Sequence, residues 1–124
     1  MTLGERILHS ITRVPRAYDG EEFLEQPRAL RTTLYPRTYG GSLFVSDRRV
    51  HFSPDRLNRL VGGRSWNAKW NQIRDIELAV NPRLLASSVT PELRILMNNG
   101  EVETFMGVAD YDRIVDLMKR LQKR

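Results

Sequence analysis

Asn99-Gly100, set between two runs of alternating apolar and polar residues, constrains this chain more than any other feature. Asn-Gly is the preferred pair for a two-residue type I′ hairpin turn, because both positions need positive φ. Closing on that turn, Met97 faces Val102, Ile95 faces Thr104 and Leu93 faces Met106, while Arg94, Leu96, Glu103 and Phe105 take the opposite face. An isolated hairpin is marginal in water, so the chain must supply further strands and a cover for the apolar side.

The cover follows directly in the sequence. From Asp110 to Arg124, Tyr111, Ile114, Val115, Leu117, Met118 and Leu121 recur at helical spacing and form one wide apolar stripe. Asp110 stands where an N-cap is needed and Asp112 in the first turn, while Lys119, Arg120, Lys123 and Arg124 crowd the end that the helix dipole makes negative. Such a helix docks one face on a sheet and leaves the other in water.

Upstream the texture is that of short strands. Arg28 to Tyr35 alternates, Tyr39-Gly40-Gly41 reads as a break, and Gly41 to Ser46 is a strand. Asp47-Arg48 turns the chain into Arg49 to Ser53, with Val50 and Phe52 on one face and Arg49, His51 and Ser53 on the other. A connection with a short helical turn at Asp55 to Leu60 leads to Ser65 to Trp70, where Trp66, Ala68 and Trp70 share a face. After a kink at Asn71-Gln72, Ile73, Ile76 and Leu78 continue the β texture, and a proline-flanked loop at 81–91 carries an edge fragment at Leu84-Leu85. At the start, Thr2 to Glu5 has capping-box spacing, and Leu3, Ile7, Leu8, Ile11 and Val14 predict a helix that Pro15 ends.

The expected fold is therefore α+β and mainly β: a partly open barrel or sandwich of about seven antiparallel strands, closed by a C-terminal amphipathic helix, with an extra N-terminal helix. Residues 1–27 are read as N-terminal helix and linker, and residues 28–124 as the domain. At 124 residues one core is sufficient without staples, and none is available through cysteine, which is absent. That excludes thiol nucleophiles, redox dithiols and Cys-type zinc sites. No apolar run approaches the roughly 20 residues that cross a bilayer, so the expected location is cytoplasmic, with any membrane contact peripheral.

The formal charge of +5 comes from 17 Arg and 3 Lys against 15 acids, and it is unevenly spread. Residues 1–27 carry a net −2, whereas residues 47–75 carry a net +4. Arg48, Arg49, Arg56, Arg59, Arg64 and Lys69 are the candidate partner-binding residues, since a guanidinium fork matches phosphate oxygens two at a time. The plainer reading of the same run is a solvated turn and loop with internal pairs to Asp47, Asp55 and Asp75. Trp66 and Trp70 offer either a base-stacking platform or an ordinary inward face, and the area their rings bury favours the core.

Other chemistry finds no motif. His9 and His51 stand in no metal-ligand spacing, no G-x-S-x-G elbow, Walker loop or G-x-G-x-x-G occurs, and the carboxylates are scattered. The chain is expected not to be an enzyme and to need no cofactor or metal.

The order of elements resembles the pleckstrin-homology (PH) superfold, and in detail its GRAM-type and bacterial PH-like branch. Gly41 and Leu43 to Phe52 resemble that family's glycine, apolar strand, Ser/Thr turn, Arg and returning strand ending in Phe. Ile73 with Asp75-Ile76 resembles its "I-x-D-I" stretch, and Leu93 to Met97, Gly100 and Val102 to Phe105 resemble its closing hairpin. The resemblance spans about residues 28–122 and implies a binding module. Phosphoinositide-binding relatives carry a Lys and then Arg residues across the first two strands, where this chain offers Arg31 and Arg37 without a matching Lys-then-Arg-x-Arg pattern. The expected function is an adaptor working through protein contacts, self-association through sheet edges included. The alternatives are peripheral binding of anionic phospholipid through the Arg-rich surface, and weak nucleic-acid binding.

Overall fold

Eight strands and two helices follow one another along the chain in a computed structural model that describes residues 14–32, 38–80 and 91–124. They are β1 (Phe23–Glu25), β2 (Arg28–Thr32), β3 (Thr38–Ser46), β4 (Arg49–Pro54), α1 (Arg56–Leu60), β5 (Trp66–Lys69), a 3₁₀ turn at Trp70–Gln72, β6 (Ile73–Val80), β7 (Pro91–Met97), β8 (Val102–Met106) and α2 (Tyr111–Gln122). The predicted N-terminal helix lies outside the described residues up to residue 13, and Val14, the last apolar position of its pattern, is exposed and not helical; the fragment at Leu84-Leu85 also lies outside the described residues.

The strands form one antiparallel sheet in the order β5-β4-β3-β2-β8-β7-β6, with β1 also paired to β3. β1 and β2 run along the same edge of β3, Phe23 opposite Ser46 and Arg28 opposite Ser42. They behave as one strand interrupted at Gln26-Pro27, where the Pro27 carbonyl still accepts the Leu43 amide at 2.8 Å. Proline has no N–H to give a ladder, which accounts for the interruption.

Side-chain contacts show how strongly this sheet bends. Trp66 on β5 and Phe105 on β8 have ring centroids 5.7 Å apart, although three strands lie between theirs in the sheet order. In a flat sheet that separation would be roughly 19 Å at about 4.8 Å per strand. The sheet is rolled into a partly open barrel. Leu43, Val50, Phe52, Ile76, Leu93, Ile95 and Phe105 fill its inside, each at most 1 % exposed. Ile114, Val115, Met118 and Leu121 of α2 join the same core and close it. The C-terminal helix thus closes the sheet as the apolar stripe requires. Trp70 and Ala68 are buried in this core and Trp66 packs against it, so the tryptophans are structural.

Three local expectations are corrected. Tyr39-Gly40-Gly41 is not a break but the middle of β3. Gly41 lies opposite Pro54, and a Cβ on Gly41 would sit 2.2 Å from the Ser53 carbonyl oxygen, so the glycine is what lets β3 and β4 touch. The β7–β8 hairpin is one residue out of the expected register: Leu93 faces Phe105 and Leu96 faces Val102. Asn98 donates its backbone N–H to Gln72 and its side-chain amide to Asn71, so it cannot pair across the hairpin. The loop becomes three residues, with Met97 paired to Glu101, Gly100 at φ +91° and Asn99 not at positive φ. That is a type I turn with a glycine bulge. It turns Phe105 inward and leaves Val102 exposed. Finally, Asp110 sits in the left-handed region at φ +53° and makes no side-chain cap; its carboxylate takes a bond from Arg113 instead.

Candidate docking surfaces

The six basic residues singled out in the sequence do not form one surface. Register places them at the two ends of β4 and β5. Arg49 lies opposite Lys69, and Arg48 precedes it in the turn, while Phe52 lies opposite Trp66 at the far end. Arg56 and Arg59 on α1 and Arg64 before β5 therefore belong to that far end. Five residue-to-residue steps separate the ends of β4, about 16 Å.

Arg49 is not a surface group. It is 5 % exposed, on the outer face of the sheet beneath the segment 14–22. Its Nε and Nη2 each donate to the Glu21 carboxylate at 2.9 Å, Nη2 also donates to the Arg16 carbonyl at 2.7 Å, and Nη1 donates to the Asn67 side chain at 3.1 Å. The Tyr18 ring lies over the guanidinium at 4.0 Å. Ser46 Oγ donates to the same carboxylate at 2.6 Å. Burial alone would raise the Glu21 carboxyl, but the bonds from Arg49 and Ser46, the Tyr18 amide and the Arg49 charge outweigh it and hold the pKa at about 2. His51 is next to this group, its Nδ1 3.4 Å from Asn67, and burial pushes its pKa below the ordinary 6.5.

The far end has a different character. α1 spans only five residues and buries none of them. Asp55 caps it: one carboxylate oxygen accepts the Asn58 amide at 2.9 Å and the Asn58 side chain at 2.8 Å, and the other pairs with Arg28 at 3.7 Å. Asp55 is 3 % exposed, so its charge is spent inside the fold. The Gly63 amide returns to the Asn58 carbonyl at 2.7 Å and turns the chain back toward β5.

Held this way, α1 projects Leu57, Leu60 and Val61 outward at i, i+3 and i+4, which is one helix face. They are 66, 77 and 70 % exposed, more than any other large apolar residues described. Arg56 and Arg64 flank them without an ion pair to any described residue, and Arg59 reaches back to Ser53 Oγ at 3.3 Å. The outward apolar face and these guanidiniums thus lie side by side at one end of the sheet. The short helical turn expected at Asp55 to Leu60 is present, but its apolar face was not singled out; the signal was its i, i+3, i+4 apolar spacing bracketed by Pro54-Asp55 and Gly62-Gly63.

Among the described residues no three His, Asp or Glu side chains gather as metal ligands, and no helix is long and apolar enough to cross a membrane. His9 lies outside the described residues.

No protein-family model matches the chain, and no curated protein matches it. Solved structures do. The C-terminal domain of an unknown protein from Leishmania infantum superposes with a TM-score of 0.68 at 10 % identity, covering 86 % of this chain and 88 % of that one. The Vps36 N-terminal PH domain gives 0.64 at 13 % identity over 88 % and 84 %. The hSac2 domain from the human phosphoinositide phosphatase Sac2 gives 0.61 at 14 % identity over 86 % and 73 %. With the sheet order and the closing helix already established, these likenesses give this chain a PH-like fold.

Proposed function

We propose that this chain is a non-enzymatic PH-like binding module, of the GRAM-type branch, that docks peripherally on anionic membrane surfaces through α1 and its flanking arginines. The observation that carries this reading is the outward face of Leu57, Leu60 and Val61 beside Arg56 and Arg64. A standard protein interface takes about 800 Å² from each partner. Two side chains on a five-residue helix and the Val61 that caps it fall short of that, whereas they suffice for an interfacial anchor with cations at headgroup level. Each such apolar side chain contributes about 1.5–3 kcal/mol when fully buried, and each cation about 1 kcal/mol near an anionic leaflet. The sum describes reversible attachment of a cytoplasmic protein.

Arg49 drops out of the binding set because its guanidinium is enclosed and paired with Glu21. Arg48 and Lys69 lie at the opposite end of β4 and β5 and would face away from a membrane met by α1.

Vesicle sedimentation tests the reading. At low salt the protein pellets with phosphatidylserine-containing vesicles and not with phosphatidylcholine alone. Leu57→Ser with Leu60→Ser and Val61→Ser, and separately Arg56→Glu with Arg64→Glu, each abolish pelleting with the fold intact. Failure of the unaltered protein to pellet would end the membrane reading. The second reading is protein contact, self-association included. It draws on β5 and β6, which end the sheet order and, among the described residues, are each paired along one side, and on Leu78 of β6, which is 41 % exposed. A dimer mass in light scattering that survives loss of the α1 apolar face would favour it.

A further inference from the structure

At the end of the sheet away from α1, a cavity of about 430 Å³ opens between Tyr18, Arg48 and Lys69. That volume lies within the roughly 300–1,000 Å³ range of small-ligand sites. We propose that it is an anion site that takes the phosphomonoester group of a soluble ligand, independently of docking through α1.

Three separate elements meet there: the segment leading to β1, the β3–β4 turn and the end of β5. The β3–β4 turn is joined to the end of β5 by the Trp70 amide, which donates to the Arg48 carbonyl at 3.3 Å. Arg49, opposite Lys69, clamps Tyr18 in place from beneath. The two cations that line the cavity are exposed, and neither side chain has a hydrogen bond or ion pair with a described residue. Gly20, at φ +77°, stands beside one of them: a Cβ there would be 3.1 Å from Arg48 Nη2.

Of the acids near this turn, Glu21 is committed to Arg49. Asp47 accepts the Glu22 amide at 3.1 Å and keeps its charge, and Asp19 and Glu22 are exposed, so the two cations must hold an anion against these carboxylates. A guanidinium offers a fork to two phosphoryl oxygens and an ammonium a point charge, so the pair suits a compact dianion. The half-exposed Tyr18 adds a phenol donor and an apolar ring edge for whatever carries the phosphate.

The test is an amide NMR titration of the full chain with inorganic phosphate and with glycerol phosphate, at constant ionic strength against chloride. Saturable shifts are expected at Gly20, Arg48 and Lys69. Arg48→Glu with Lys69→Glu should weaken binding at least about tenfold, which is about 1.4 kcal/mol. The melting temperature should not move, and Arg56→Glu with Arg64→Glu should leave the titration unchanged. The proposal is overturned by shifts that do not saturate, by equal shifts with chloride, or by undiminished binding in the Arg48/Lys69 variant. It is also overturned if phosphatidic acid vesicles engage these residues while both soluble phosphates do not. Loss of vesicle binding through α1 alone would end the docking reading and leave this site standing.

Discussion

Arg49 and Glu21, 28 positions apart in sequence, are joined by two hydrogen bonds of 2.9 Å with both side chains almost wholly enclosed. This pair fastens the segment before β1 to the outer face of the sheet. Removing one partner leaves a buried charge alone, which typically costs about 3–5 kcal/mol. Arg49→Ala and Glu21→Ala are each expected to lower the unfolding free energy, measured by urea denaturation, by that amount. Arg49→Met combined with Glu21→Leu should recover most of it, because an apolar pair of similar volume avoids the desolvation cost. A double variant as unstable as the sum of the singles would show that the two residues act separately.

The same pair sets an acid limb. The Glu21 carboxyl titrates at about 2 in the fold against 4.5 for an unperturbed group. With a depressed folded pKa, its contribution is complete above about 4.5 and is lost as pH falls through about 2. His51 has the same direction in a different window: burial keeps it neutral, so the unfolded chain takes up its proton first and stability begins to fall below 6.5. Stability measured against pH should therefore lose slope below 4.5 in Glu21→Gln, and just below 6.5 in His51→Gln. A Glu21→Gln profile parallel to the unaltered one would refute the assignment.

Two glycines separate close approach from backbone conformation. At Gly41 a methyl group would strike the Ser53 carbonyl at 2.2 Å, and both atoms belong to paired strands that cannot yield. At Gly100 the space is open, and only φ of +91° resists a side chain. Gly41→Ala is expected to cost about 3 kcal/mol or more, at or beyond the upper range for overpacking. Gly100→Ala should cost about 1–2 kcal/mol, the penalty of left-handed backbone. Urea denaturation of the two variants decides it, and equal losses would mean that the strands accommodate the methyl.

How far these features could be read from sequence follows from where their causes lie. The α2 stripe, the inward Val50 and Phe52 and the Asp47-Arg48 turn depend on neighbours within a few residues, and periodicity exposes them. The hairpin register depended on Asn98, whose partners Asn71 and Gln72 lie more than 25 positions upstream. Gly41 read as a break because only the approach of Pro54 gives it a place in a strand. Arg49 looked like one cation in a basic run, and only Glu21 across the fold makes it structural. Leu57, Leu60 and Val61 carried the opposite ambiguity. Their helical spacing was present, but a core face and an outward face share that pattern.

Whether that outward face is purely functional can be checked through stability. Side chains 66–77 % exposed lose little on unfolding, and surface substitutions usually stay within about 0.5 kcal/mol. Leu57→Ser with Leu60→Ser and Val61→Ser should therefore leave the melting curve nearly unmoved. Asp55→Ala, one residue before the same helix, should behave differently. It removes the cap from Asn58 and leaves Arg28 without its carboxylate, for a cost of about 1–2 kcal/mol from the cap alone. If instead the serine variant melts as low as the Asp55 variant, the three apolar side chains are holding the β4–β5 connection together, and their exposure cannot be assigned to a partner.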